Sequence, residues 1–381
     1  MKGHFFVAVT VALTILLSLT AGASGAESKL DLGALEDALP EDIAESLPEG
    51  FFSGNADESL AAIRNALSPS YLLKSLWRLL CGGADGAFSL FAILVALLAL
   101  TALLSALSDG WVKGEIKSAV AFVSSVCFSS AVVGMQMPRL ISSGAFFDRI
   151  CAAMNSLIPV MAALYLSGGN AGGAALAGSS LVVQINLIEL GATFIVMPAV
   201  SACMALTLAD SLKGGEPIGF SGITSFIKRS VSFILGLCST LLTASLSAQH
   251  ILTAAGDSMS ARTVKFVAGN MIPVVGSTVG ETMKTLAASV KVLRGTVGMA
   301  GVCVIALLLL PVITELMLTR LALGAAASIG ELMGRRGEAR LCREVASLYG
   351  YVIAAASLAS ALCFIALTLF AITSSAIGSA I

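Results

Sequence analysis

The sequence predicts an all-α, polytopic helical membrane protein with an internal duplication. About six transmembrane helices plus two re-entrant or broken helical hairpins are expected. Three observations predict this. First, 57% of the 381 residues are apolar and only 12% charged, whereas a soluble domain has about 45–50% and about 25%. The surplus apolar surface needs lipid. Second, the apolar residues gather into runs at 87–107, 118–137, 150–167, 176–209, 230–249, 297–319 and 345–373, several close to the roughly 20 residues that cross a bilayer. Third, Ile116-Lys117-Ser118-Ala119-Val120-Ala121-Phe122, with Cys127 beyond it, is answered by Ile227-Lys228-Arg229-Ser230-Val231-Ser232-Phe233 with Cys238. Asn155-Ser156-Leu157-Ile158-Pro159-Val160 is answered by Asn270-Met271-Ile272-Pro273-Val274, and Met197-Pro198-Ala199-Val200 by Leu310-Pro311-Val312-Ile313. The order is kept at offsets of 111 to 115. Matched Lys, Asn and Pro are rare in chance apolar similarity, so the pattern reads as a duplication.

The elements follow in chain order. Residues 1–26 read as a signal peptide: Lys2 and His4, an apolar run from Phe5, then small residues with Ser24-Gly25-Ala26 as the cleavage site. An uncleaved first span is the alternative. Residues 27–85 form an acidic extracytoplasmic helical segment with eleven Asp/Glu against four Lys/Arg. Its apolar residues recur at helical spacing and are interrupted at Pro40, Pro48 and Gly50. Residues 86–381 form the membrane domain, with repeat 1 at about 116–211, repeat 2 at about 227–325 and a final transmembrane helix at about 345–373.

Two runs do not fit single crossings. The run 150–167 is short and contains Pro159, and 176–209 is too long for one crossing. Residues 150–185 are therefore expected to form a re-entrant hairpin turning at Gly168-Gly169-Asn170-Ala171-Gly172-Gly173, with the true span at 188–209. Its counterpart is 264–293, broken at Asn270-Met271-Ile272-Pro273. Non-helical backbone at that depth is tolerated where it is buried or lines a water-filled cavity.

Positive charge sets the expected sidedness. Lys113 and Lys117, then Lys213, Lys228 and Arg229, then Arg320, Arg335, Arg336, Arg340 and Arg343 mark three loops. If all three are cytoplasmic, the repeats are parallel and the hairpins enter from outside. Arg262, Lys265, Lys284, Lys291 and Arg294 speak for the alternative, in which 150–167 crosses fully and the repeats are inverted.

The candidate functional residues are few. Glu189, with Asn186 one turn before it, and Glu315 are ionisable or polar groups within apolar runs, where charge is costly and usually faces a cavity or a partner. Asn155, Pro159, Asn270, Pro273, Pro198 and Pro311 are candidate breaks, since proline removes a backbone donor and frees a carbonyl one turn back. Gly295, Gly298 and Gly301 form a small-residue stripe suited to close helix packing. Arg335, Arg336, Arg340 and Arg343 form a candidate cytoplasmic partner loop. A metal or cofactor is not expected: there are two His, and the eight Cys form no CxxC pair. No Gly-x-Ser-x-Gly or phosphate-binding loop occurs, so an enzyme is not expected. The net charge of −1 argues against nucleic acid.

The block Arg262-Thr263-Val264-Lys265-Phe266-Val267-Ala268-Gly269-Asn270-Met271-Ile272-Pro273-Val274-Val275-Gly276, with Asp257 before it and Val297-Gly298-Met299-Ala300-Gly301 after it, resembles the stage III sporulation protein AE family. Leu47-Pro48-Glu49-Gly50 in the leader fits it too. The resemblance covers nearly the whole chain. It implies a multi-pass protein of the mother-cell membrane around the forespore. Its implied partners are other membrane subunits of the same sporulation complex, including an ATPase and ring-forming proteins. Together these resemble a secretion-type channel. The resemblance carries no catalytic residues. A secondary transporter, suggested by repeats and broken helices alone, is the competing expectation.

Overall fold

The computed structural model describes residues 69–111, 115–167, 171–211, 220, 222–241, 243–244 and 276–379. Among them every regular element is helical and no strand occurs. The order is α1 (Pro69–Trp111), α2 (Glu115–Ser167), α3 (Ala171–Glu189), a π-helix (Leu190–Val196), α4 (Met197–Ser211), α5 (222–241), α6 (Gly276–Leu332) and α7 (Arg336–Ser379). Among the described residues, five helical stretches are long and apolar enough to cross a membrane: Trp77–Ser108, Ile116–Leu166, Leu181–Asp210, Val297–Leu332 and Arg336–Thr368. The signal peptide, most of the acidic leader, and the Asn270 and Pro273 break lie outside the described residues.

The helices are much longer than the apolar runs suggest. At about 1.5 Å per residue, the 53 residues of α2 span about 80 Å and the 57 of α6 about 86 Å. α1 runs continuously through residue 85. The runs 118–137 and 150–167 are one helix, with Pro138 and Pro159 inside it. Likewise, 171–211 is a single helical run whose irregularity is the π-helix. Ala171, Gly172 and Gly173, expected in a connecting turn, begin α3.

The hairpin expected at 150–185 exists as two packed arms. Cys151 Sγ lies 3.9 Å from the Ile185 carbonyl, and Ile158 is the nearest neighbour of Gly178. Rising numbers on α2 meet falling numbers on α3, so the arms are antiparallel. The departure from expectation is in what precedes them. A re-entrant hairpin lying beside a span at 118–137 needs the chain to double back over 138–149. Instead α2 continues, and the hairpin follows that span along one helix.

The centre is α6 against α7, which make the most extensive helix contact. Of their most apolar stretches 61% and 56% are buried, against 22% in α1 and α2, which therefore pack outside them. The turn between α6 and α7 is closed by the backbone: Arg335 N–H donates to the Gly330 carbonyl at 2.8 Å, and Gly334 has φ 75°. This is a Schellman ending, in which glycine takes the left-handed position without a Cβ clash. Glu338 in the first turn of α7 suits the positive end of the helix dipole.

Several pairs fix the vertical register. Leu318 on α6 is level with Gly83 on α1, and Gly330 with Leu98 and Ala339. Above them, Gly301 on α6 meets Leu157 of α2 and Leu367 of α7, and Tyr165 stacks edge-on with Phe370 at 5.4 Å between centroids. The bundle therefore has two apolar storeys. The lower holds α1, the end of α6 and the start of α7. The upper holds the α2–α3 hairpin, 297–314 of α6 and the remainder of α7. On α6, Glu315 stands about 27 Å from Val297 and about 26 Å from Leu332 along the axis. Each storey is close to the ~30 Å of a bilayer's hydrocarbon.

Candidate functional site

Polar residues mark the level where the storeys meet. A cavity of about 160 Å³ lies between α2, α6 and α7, with Arg139, Arg149, Glu315, Thr319 and Tyr349 on its wall. Tyr349 is 1% exposed and donates its hydroxyl to Gln136 Oε1 at 2.7 Å. Gln136 is fully buried, and its Nε2 has no partner among the described residues. Arg320, one turn beyond Glu315, lays its guanidinium against Gly350: an added Cβ there would sit 3.1 Å from Nη1. Met197, at the start of α4, reaches Gly144 at the same level.

Of the sequence candidates, Glu315 is in this constellation. Glu189 is at the same height but on another face. It ends α3 at the start of the π-helix and stands within electrostatic range of Cys151, as does Asp148. Glu189 and Asn186 are exposed while Gln184 is 4% exposed, so they do not share one polar stripe. Asn155 and Pro159 lie on the exposed side of α2, Pro198 on that of α4 and Pro311 on that of α6. Pro159 and Pro311 stand inside continuous helices. On an outward face the proline ring and the freed carbonyl disturb no packed neighbour. Sequence reasoning missed Arg139, Arg149, Gln136 and Tyr349. The signal available was two arginines within a 51-residue apolar stretch.

Of the glycine stripe, Gly301 sits at the three-helix crossing and Gly298 is buried.

A second polar region closes the lower storey. Lys228 of α5 reaches Glu344 Oε2 at 2.5 Å and Ser347 Oγ at 2.6 Å. Arg335 pairs with Glu338, Arg340 with Asp210 at 3.8 Å, and Arg343 with Glu331 at 2.5 Å. Three of the four arginines of the expected partner loop thus have carboxylates of this chain beside them. Arg336 is exposed with no carboxylate partner among the described residues. Lys228 is 15% exposed and Arg343 58%. Exposed pairs contribute little because water and salt screen them. Lys228→Ala is therefore expected to lower the melting temperature in detergent measurably, while Arg343→Ala leaves it within error. Equal shifts would show that burial does not rank these pairs.

The architecture defines a class: an all-helical protein with several membrane-length helices and a charged level between two apolar halves. Residues 56–374 match the family described as stage III sporulation protein AE, and the chain belongs to that family. Over 215 residues it is 29% identical to the stage III sporulation protein AE of Bacillus subtilis (strain 168), an alignment covering 56% of this chain and 53% of that relative. The chain thus spans about half the length of the curated relative it matches. No solved structure matches.

Proposed function

We propose that this protein is a non-enzymatic membrane subunit of a sporulation secretion or channel complex joining mother cell and forespore, needed for forespore development after engulfment. The observation that carries the reading is family membership over residues 56–374. The helices support a place in a membrane, here the mother-cell membrane around the forespore. In this reading residues 335–343 face the mother-cell cytoplasm, where Arg336, exposed and without a carboxylate partner among the described residues, would meet a partner such as an ATPase. The acidic leader faces the intermembrane space after signal cleavage, and ring-forming proteins are further partners. The internal duplication and a count of about six spans belong to the same reading. The three ordered sequence matches support them.

A native pull-down from sporulating cells in mild detergent, read by mass spectrometry, tests it. Recovery of an ATPase and further membrane and ring-forming subunits is the expected result. Recovery of the chain alone, or only with copies of itself, sinks the reading.

One observation favours a second reading, an autonomous secondary transporter: Glu315 lies beside two arginines on a cavity wall within apolar helices. Its test is reconstitution of the purified chain in vesicles. Transport without partners that is lost in Glu315→Gln would establish it.

A further inference from the structure

We propose that two copies of this chain pair side by side and in parallel through the outer face of α1. Three observations lead there.

The first is the face itself. Leu90, Leu94 and Leu98 turn one side of α1 inward and are buried, with Leu98 against Gly330 of α6. The opposite side has no neighbour within the chain. Gly86, Ile93, Leu100 and Leu107 stand on it seven residues apart, and all four are exposed. Leu103 lies between the last two and is exposed as well. A seven-residue row of this kind keeps to one side of a helix and forms the seam of left-handed helix pairs.

The second is height. Gly83 is level with Leu318 and Leu98 with Gly330, so α1 and α6 run in the same direction. α6 ends at Leu332, about 3 Å beyond Gly330, whereas α1 continues from Leu98 to Trp111, about 20 Å. The end of α1 therefore projects past the α6–α7 turn. At that turn and in the first two turns of α7 stand the ion pairs Arg335–Glu338, Arg340–Asp210 and Arg343–Glu331. Charge is costly within hydrocarbon, so this level lies at the edge of the bilayer or outside it, whichever storey the bilayer covers. Leu103 and Leu107, 57% and 51% exposed, stand about 8 and 14 Å farther out than Leu98. Lipid tails do not reach them, and an apolar row facing water marks a protein contact.

The third is what fits. Two copies inserted in one membrane point the same way, so their α1 helices meet in parallel at equal height. Leucine then meets leucine beyond the bilayer. On the same face nearer the start of α1, Gly82 and Gly86 have nothing within 4 Å of an added Cβ. Packing within the chain does not call for glycine there, whereas Gly-x-x-x-Gly lets a neighbouring helix approach closely. The contact is the same patch on both copies, so it closes at two.

The test uses the full chain. In mild detergent, light scattering should give twice the protein mass of one chain. Leu103→Glu/Leu107→Glu should halve it, with thermal unfolding checking that the exposed substitutions leave the fold intact. In cell membranes, Leu103→Cys is oxidised in a background in which the exposed Cys81 and Cys127 are Ser. A cross-linked band at twice the chain mass is expected, and little or none from the exposed Gly134→Cys on α2. This second measurement decides the matter if the double Glu variant does not accumulate. A single-chain mass in detergent together with no cross-link in membranes overturns the proposal. So does a dimer that the Glu pair leaves unchanged, or a Leu103→Cys product that contains a different protein. The pairing is independent of the sporulation complex, which the pull-down tests separately.

Discussion

Gly301→Leu is expected to abolish accumulation of the folded protein. An added Cβ at this position would stand 2.9 Å from Leu157 Cδ1 and 3.0 and 3.1 Å from the two terminal methyls of Leu367. Those leucines come from two different helices and are 1% and 0% exposed. Neither can swing aside, because the core behind it is filled. Overpacking costs typically ~1–3 kcal/mol for a few extra methylenes, and here a whole isobutyl group must enter a three-helix crossing. The measurement is yield and monodispersity after detergent extraction. Gly134→Leu is the control: that glycine is exposed with nothing within 4 Å of an added Cβ. Equal recovery of the two variants would show that α6 does not approach its neighbours closely at Gly301.

Tyr349→Phe is expected to destabilise by ~1–3 kcal/mol, the usual penalty for stranding a buried polar partner. The hydroxyl it removes is the donor to Gln136 Oε1. The Nε2 of that amide already lacks a partner among the described residues. Gln136→Leu strands the tyrosine instead. The double variant Gln136→Leu/Tyr349→Phe removes both ends and should be less destabilised than the sum of the singles. Thermal unfolding of the four proteins gives the coupling. Strict additivity would mean that the two groups do not bond.

The class of fold was legible because it depends on composition: a chain this apolar and this poor in charge needs lipid over much of its surface. The antiparallel arms around Cys151 and Ile185 were legible too, since two apolar runs joined by glycines have few other ways to pair. Where helices end was not. Pro159 and Pro311 look like breaks in sequence. Both lie on outward faces of helices whose opposite sides are held by packing, and there a missing hydrogen bond does not interrupt the helix. The π-helix at Leu190–Val196 was signalled only by a run too long for one crossing. Its position depends on how α3 and α4 seat on α2 and α7.

The cavity was the least legible feature. Arg139, Glu315 and Tyr349 are far apart in sequence and meet only through the vertical register of three helices. That register is set by contacts such as Gly330 with Leu98 and Gly301 with Leu367, which no local pattern announces. The basic loop was visible. That Asp210, Glu331 and Glu338 would take up three of its four arginines was not, because Asp210 lies more than a hundred residues away in sequence.

The height of the bundle has a practical consequence. Helices of about 80 Å carry a greasy belt roughly twice as tall as a single micelle is made to wrap. A short-chain detergent that solubilises ordinary polytopic proteins would leave one band of this one bare, and bare bands stick to each other. Extraction should therefore succeed in long-chain detergents or amphipols, or with neighbouring subunits retained. The choice of solubilising agent becomes the first variable to explore at the bench.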